Sequence, residues 1–567
     1  MPELLGKWIV TVVVFSPLLW ALIILTLPAR ATNAIRRNAI TGSLVTLIAT
    51  LVMMQLYFRA HTSDESAFIS QTGEWALKTN VQWLGGDDPA LAAMDIGYKV
   101  GVDGISLWLM LLTAVLTPLV IWGSTTGIRK RVKEYYALML MLETGMLGAF
   151  CAMDLLLFYI FFEFTLIPMF LIIGVWGHAD RRRAAHKFFI YTMVGSMLTF
   201  AGVMYVAFAG YHANGEFTFD LIKLYALAQE GLLSPTEQKW LFVAMAAGFA
   251  VKVPLFPFHT WLPLAHTEAP AGGSVILAGV LLKLGTYGFL RISLPLLPAA
   301  TTHFAPFMAT LAIVGIIYGA LAAWVQKDLK KLVAYSSVSH LGFCILGMFS
   351  LHTAGVTGSV LYMLNHGLST AALFFLVGMI YERYHTRRFD ELSGLARRMP
   401  WLSFFMIFFV LSSVAMPGLN GFVSEFLVLL GTFNSTGHPG ALGVTYACFA
   451  ALGIILTAVY LFHLCGAILF GPLREPPNTP DLEHVKTADL NAREIGVLVP
   501  LAVFCLILGV YPRPVVTNVQ AAVDRQILDR VLIEPHRTNW ETDVLVEAHP
   551  PAPNTAVAQL PVKGGAT

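Results

Sequence analysis

The sequence predicts an all-α integral membrane protein of about fourteen transmembrane helices, and three observations carry that expectation. Hydrophobic residues make up 57% of the 567 residues and charged residues only 12%, about half the charge density that solvates an ordinary soluble protein. Mean hydropathy is +0.70. The apolar residues gather into runs close to the ~20 residues needed to cross a ~30 Å hydrocarbon core. A soluble enzyme, a nucleic-acid binder and a coiled coil are thereby excluded. With 36 basic against 34 acidic residues and a net charge of +2, nothing points to a polyanionic partner.

In chain order the runs fall at 8–27, 40–58, 104–123, 135–152, 155–176, 188–210, 240–258, 273–294, 304–325, 332–350, 354–380, 401–432, 441–470 and 495–511. The first resembles a signal peptide in length, but Glu3 and Lys7 leave its start neutral rather than basic, so it reads as a retained helix. Orientation follows from the basic residues, which crowd cytoplasmic loops. The odd-to-even loops hold Arg129 to Lys133, Arg181 to Lys187, Lys327 to Lys331 and Arg383 to Arg398; the opposite ones hold only Arg59, Lys78, Lys99, Lys223, Lys239 and Arg291. Both termini therefore face away from the cytoplasm. The acid-rich loop 59–100 lies on that outer side. Past Pro512, valines and isoleucines at helical spacing from Val516 to Val531 read as an amphipathic helix lying on the membrane. From Pro550 a Pro/Ala/Gly tail reads as disordered.

Five ionisable groups remain inside the spans: Lys252, Lys283, Glu143, Glu163 and Glu425. At roughly 2.5–3.5 kcal/mol each, they would cost on the order of 10 kcal/mol if left bare. Static ion pairs are one reading. Two positive and three negative groups cannot neutralise one another, however, and buried pairs are poor sources of stability. A proton path explains all five. Two spans also carry breaks beside a charge: FAVKVPLFPFHTWLP, with Pro254 and Pro257 after Lys252, and MPGLNG, with Pro417, Gly418 and Gly421 before Glu425. Proline removes a backbone donor and frees a carbonyl, and paired broken helices point to an inverted-repeat transporter.

His340, His366 and His463 add relay candidates. A rival reading makes His340 and His366 axial ligands of a b-type haem, but haem would explain none of the five acids and lysines. The cysteines (Cys151, Cys344, Cys448, Cys465 and Cys505) stand singly in apolar runs and read as buried, inert thiols. No nucleotide-binding or metal-ligating spacing is present.

The same residues carry a family resemblance. FAVKVPLFPFHTWLPLAHTEAPAGGSVILAGVLLKLGTYGFLR, FYIFFEFTLIPMFLIIGVWGH, KDLKKLVAYSSVSHLGF and AMPGLNGFVSEF resemble the antiporter-like membrane subunits of proton-pumping NADH:quinone oxidoreductase, respiratory complex I, and most of all the M class, called subunit 4 in mitochondria. The likeness runs over about 100–470 and is most specific at 250–292.

It implies two inverted five-helix repeats. The chain would then divide into helices 1–3 with the outer loop (1–123), the first repeat (124–294), the second repeat (295–471), and a last helix with an outward tail (472–567). By the resemblance, Glu163 and Lys252 are the essential glutamate and the lysine at the first break. Lys283, His340 and His366 are connecting groups, Glu425 stands at the second break where the L and N relatives usually have lysine, and Glu143 is a further carboxylate. It also implies no cofactor on this chain, with FMN, iron–sulfur clusters and quinone on partner subunits. The partners implied are the L and N chains, small membrane subunits and, indirectly, the peripheral redox arm. The location implied is a bacterial inner (plasma) membrane rather than the mitochondrial one. Two alternatives stand beside this: an Mrp-type monovalent cation/proton antiporter subunit, and a purely architectural membrane subunit.

Overall fold

The computed structural model describes residues 2–61, 73–84, 94–476 and 489–532. Eleven helices among them are long and apolar enough to cross a bilayer. The helix Val132–Cys151 and two broken crossings, Pro235–Lys252 with Leu262–Glu268 and Pro400–Ser413 with Asn420–Phe433, bring the crossings to fourteen.

Capping side chains set where many of these helices begin, because an orphan backbone N–H at the membrane edge needs an acceptor. Asp154 accepts from the Leu157 N–H, and Asp328 from those of Lys330 and Lys331. Ser234 with Glu237, and Asn491 with Glu494, form reciprocal capping boxes. Several helices outrun the apolar runs that predict them: the second begins at Thr32 and the sixth at Arg181. Their first turns carry Arg36 and Arg37, and Arg181 to Arg183, which lower the local hydropathy, so hydropathy alone trims them away.

Burial is unequal, and this decides where charge can sit. Helices Arg181–Asn214, Pro298–Trp324 and Gly443–Leu469 keep a broad apolar face outward. The apolar cores of Ala271–Leu296 and Thr353–Tyr384 are enclosed, and that of Leu329–Phe349 nearly so. These three carry Lys283, His340 and His366, which are thereby held away from lipid.

Four expectations change. The amphipathic helix exists, from Arg513 to Val531, but it packs on the protein rather than on the membrane surface. Val515, Val519, Val523, Ile527 and Val531 are buried, Asp524 Oδ1 accepts from Thr353 Oγ1 at 2.8 Å, and Gln526 Nε2 donates to Gly73 O at 3.1 Å. Its apolar stripe matches the outer ends of the bundle as well as it would match lipid, and periodicity cannot tell the two apart. Arg291 is not a loop residue: it is fully buried and paired with Asp103, with its guanidinium 4.6 Å from the Trp75 ring. Breaking such a pair costs about 3–5 kcal/mol, so this one secures the outer ends of the helices Ser106–Gly123 and Ala271–Leu296. Cys448 is exposed rather than buried. His463 lies on an exposed face of its helix.

The outer loop is partly structured. Strands β1 (Ala76–Leu84) and β2 (Met94–Val102) pair antiparallel, and Phe217–Thr218 adds to β2 in parallel. Lys99 ties this hairpin down, reaching Asp95 at 2.6 Å and Asp220 at 3.1 Å. Asp64, Glu65, Asp87, Asp88 and the tail beyond Pro550 lie outside the described residues. The positive-inside pattern and this geometry give an expected labelling result. A membrane-impermeant thiol reagent applied to intact cells should modify Val81→Cys, which is exposed on β1, and spare Arg182→Cys until the membrane is opened. The reverse pattern would invert the topology.

Candidate functional site

The first break places Lys252 at the last turn of Pro235–Lys252. Pro254 ends the helix, and the Trp261 indole N–H donates to Val251 O at 2.9 Å, satisfying a carbonyl that the break frees. The Lys252 amine is buried, 4.6 Å from the Phe162 ring and 3.3 Å from Thr165 Oγ1. No ion pair joins it to Glu163, which stands on the same helix as Phe162 at intermediate burial. Gly285 allows the next group to come near. A side chain there would meet Lys252 Cβ at 2.9 Å, so only glycine lets the Lys283 helix lie against the broken end.

Around Lys283 the enclosed helix opens into π-helical turns, at Leu277–Leu281 and Phe289–Ser293, a distortion common at functional sites. The Lys283 amine donates to Ala278 O inside the first of them and meets His366 Nδ1 at 2.7 Å. The His366 ring centroid lies 5.7 Å from that of His340. His340 Nδ1 is 2.6 Å from the Tyr362 hydroxyl, which donates to Glu425 Oε1 at 2.8 Å. With that hydroxyl's hydrogen directed to the carboxylate, His340 donates to the Tyr362 oxygen in the tautomer that carries its proton on Nδ1. His340 Nε2 lies 3.2 Å from the Tyr460 hydroxyl. With both nitrogens of His340 so engaged, the pair does not present two free nitrogens across a haem iron.

The second break is braced from both sides. Ser412 Oγ donates to Asn420 Oδ1 at 2.6 Å, and Asn365 Nδ2 donates to Asn420 O at 2.6 Å and Ser424 Oγ at 2.9 Å. Gly421 lies so close to Ser412 O that a Cβ would approach it to 2.2 Å. Glu425, one turn past the break, is buried, and its Oε2 has no partner. A polar cavity of about 10 Å³ lies between His340, His366, Ser369, Ser412 and Glu425, about the space one water needs.

The structure thus joins Lys283, His366, His340 and Glu425 in one polar line, with Lys252 beside its start and Glu163 near Lys252. Glu143 stands apart on Val132–Cys151, fully buried, with both oxygens unpartnered. The five intramembrane groups form no ion pairs with one another. His463 is not part of the line. Sequence reasoning missed Tyr362, Tyr460 and Thr165. A signal for the first existed: Tyr362, Asn365, His366 and Ser369 recur at i, i+3, i+4 and i+7, a polar stripe on an otherwise apolar helix. Among the described residues no group of three or more metal-ligating side chains occurs.

A family model described as NADH:quinone oxidoreductase/Mrp antiporter, TM, matches residues 152–452, a stretch that contains every member of the polar line. The chain is 41% identical over 500 residues to the NADH-ubiquinone oxidoreductase chain 4 of Marchantia polymorpha, covering 88% of this chain and 93% of that one. It is 38% identical over 520 residues to the NADH-quinone oxidoreductase subunit M of Rickettsia typhi, covering 92% and 99%. A chain of respiratory complex I from Thermus thermophilus with bound NADH superposes with a TM-score of 0.77 at 28% identity, covering 92% of this chain and 100% of that one. The enclosed, unpaired charges at two helix breaks and the likeness along nearly the whole length agree: the chain belongs to the NADH:quinone oxidoreductase/Mrp antiporter transmembrane family, among its subunit M and chain 4 members.

Proposed function

We propose that this chain is the proton-translocating M subunit of a membrane-bound NADH:quinone oxidoreductase, and that its own residues move protons while the redox chemistry takes place on partner subunits. The observation that carries the reading is the polar line from Lys283 to Glu425, hydrogen-bonded from Lys283 to His366 and from His340 through Tyr362 to Glu425, with the small polar cavity between the two histidines. Lys283 hands a proton to His366 Nδ1. From His366 Nε2 the small polar cavity leads toward His340. A proton taken up at His340 Nε2 releases the one on Nδ1 to the Tyr362 oxygen, as the Tyr362 hydroxyl passes its own to Glu425. Each transfer makes and breaks one bond to hydrogen, and the side chains are reset once Lys283 is reprotonated, Glu425 discharges and both imidazoles change tautomer.

Lys252 feeds this line in the proposal. Glu163 modulates it from a distance, since its charge favours the protonated amine and burial opposes it. Glu143 serves as a further carboxylate on the fourth crossing. FMN, iron–sulfur clusters and quinone belong to partners, which include the L and N chains, and the assembly sits in a bacterial inner membrane. The two five-helix repeats, 124–294 and 295–471, each supply one broken helix.

Inverted membrane vesicles test this. Lys252→Ala and Glu163→Ala should each reduce NADH-driven acidification at least about tenfold, a modest share of what a proton-transfer group contributes, while the enzyme still assembles. Normal acidification by either assembled variant removes that residue from the path. Potassium- or sodium-driven proton movement without NADH would favour the Mrp-type alternative.

A further inference from the structure

At the end of the bundle that carries the basic loops, two cavities of about 420 and 700 Å³ share His178, Tyr381, His385 and Arg387, and so form one basin. Its charge is lopsided in a specific way. The acids that line it are already engaged within the protein: Glu494 with Arg383 and Arg493, Glu382 with Thr126 and Arg493, Asp328 with Arg387, and Glu268 with the Asp180 N–H. Arg129, Lys327 and Lys331 line the same basin and have no ion pair among the described residues. Lys330 is 4% exposed. Its ammonium carries three donors, one of which goes to Ala269 O at 2.5 Å. The basin therefore holds positive charge that the lining acids do not neutralise.

His178 reports the same field. Burial, with Lys330 and Arg387 beside it and Asp328 opposing, pushes its imidazole down to about 4. The depth of the basin is marked by aromatic rings. Trp176 lines it, and Trp122, Trp324 and Trp401 are exposed at the same ends of their own helices, the level at which Trp settles among lipid headgroups.

We infer that this basin binds a phosphate ester or phosphate ion, through Lys330 inside and Arg129, Lys327 and Lys331 at the rim. Phosphate offers several acceptor oxygens to Arg and Lys donors, and basic pockets between helices on the cytoplasmic side suit anionic headgroups. A glycerophospholipid with a net negative headgroup is the source available at this depth. Free phosphate from the cytoplasm carries the same chemistry.

The test uses the detergent-solubilised, delipidated enzyme carrying this chain, as wild type and as the triple variant Arg129→Gln/Lys327→Gln/Lys331→Gln. These side chains have no ion pair among the described residues, so assembly and NADH oxidation should persist and serve as the control. Native mass spectrometry reads titration with phosphatidylglycerol against phosphatidylcholine, and equilibrium dialysis reads radiolabelled inorganic phosphate. Phosphatidylglycerol binding at least about tenfold weaker in the variant, with phosphatidylcholine unchanged, supports the lipid source. Loss confined to inorganic phosphate supports the free anion. Equal binding of both probes by wild type and variant overturns the inference.

Discussion

Lys283→Ala is expected to abolish NADH-driven proton pumping, by about 10²-fold or more on the scale that positioned proton-transfer groups contribute, without loss of assembly. The amine sits in a fully enclosed helix and makes its contacts to Ala278 O and His366 Nδ1 rather than to an acid. Its removal relieves a buried charge instead of orphaning a partner charge, so the fold should tolerate it. Lys283→Arg sharpens the result. Arginine keeps the charge but cannot give up its proton, so an electrostatic pin would survive this change while a relay would not. Pumping measured in vesicles, beside the quantity of assembled enzyme, separates the two. Full activity of an assembled Lys283→Arg enzyme would sink the relay assignment.

The second large effect belongs to the Tyr362–Glu425 contact. Tyr362→Phe removes one oxygen and keeps the ring, which stacks on Phe343 at 5.7 Å, so packing should hold while the link from His340 to Glu425 is cut. Pumping should fall by roughly 10²-fold. Glu425→Gln keeps an oxygen for Tyr362 to donate to but cannot ionise, and it should fall as far. Glu425→Lys should retain part of the activity, because an amine also loads and releases a proton, and Glu425→Asp should be mildest. Should Glu425→Gln pump normally while Tyr362→Phe does not, the exit would lie on another group that Tyr362 serves; if both pump normally, the line ends at His340.

Much of this site can be read in the sequence because an ionisable residue in a long apolar run is conspicuous. Lys252, Lys283, Glu143, Glu163 and Glu425 stand out by that contrast, and the breaks at Pro254 and at Pro417–Gly418 stand out because proline and glycine interrupt hydrogen-bond ladders. Tyr362 and Tyr460 do not stand out, since a tyrosine is as ordinary in a membrane helix as a phenylalanine until its hydroxyl is seen to meet a partner. Arg291 was misplaced for the opposite reason. Its charge near the end of an apolar run looks like a loop, and only Asp103, 188 residues earlier in the chain, shows that it is enclosed.

The sequence by itself determined the membrane class, the spans, the two breaks and the identities of the ionisable side chains inside them, because these follow from local composition against a solvent about 30 Å thick. Only the tertiary structure decided which of those groups meet. Lys283 reaches His366 across 83 residues and Tyr362 reaches Glu425 across 63, through contacts set by which helix faces are enclosed. Periodicity cannot specify that when a helix is apolar on every side. The same limit applied to the helix Arg513–Val531, whose stripe fits protein and lipid alike, and whose place on the bundle was settled by Thr353 and Gly73.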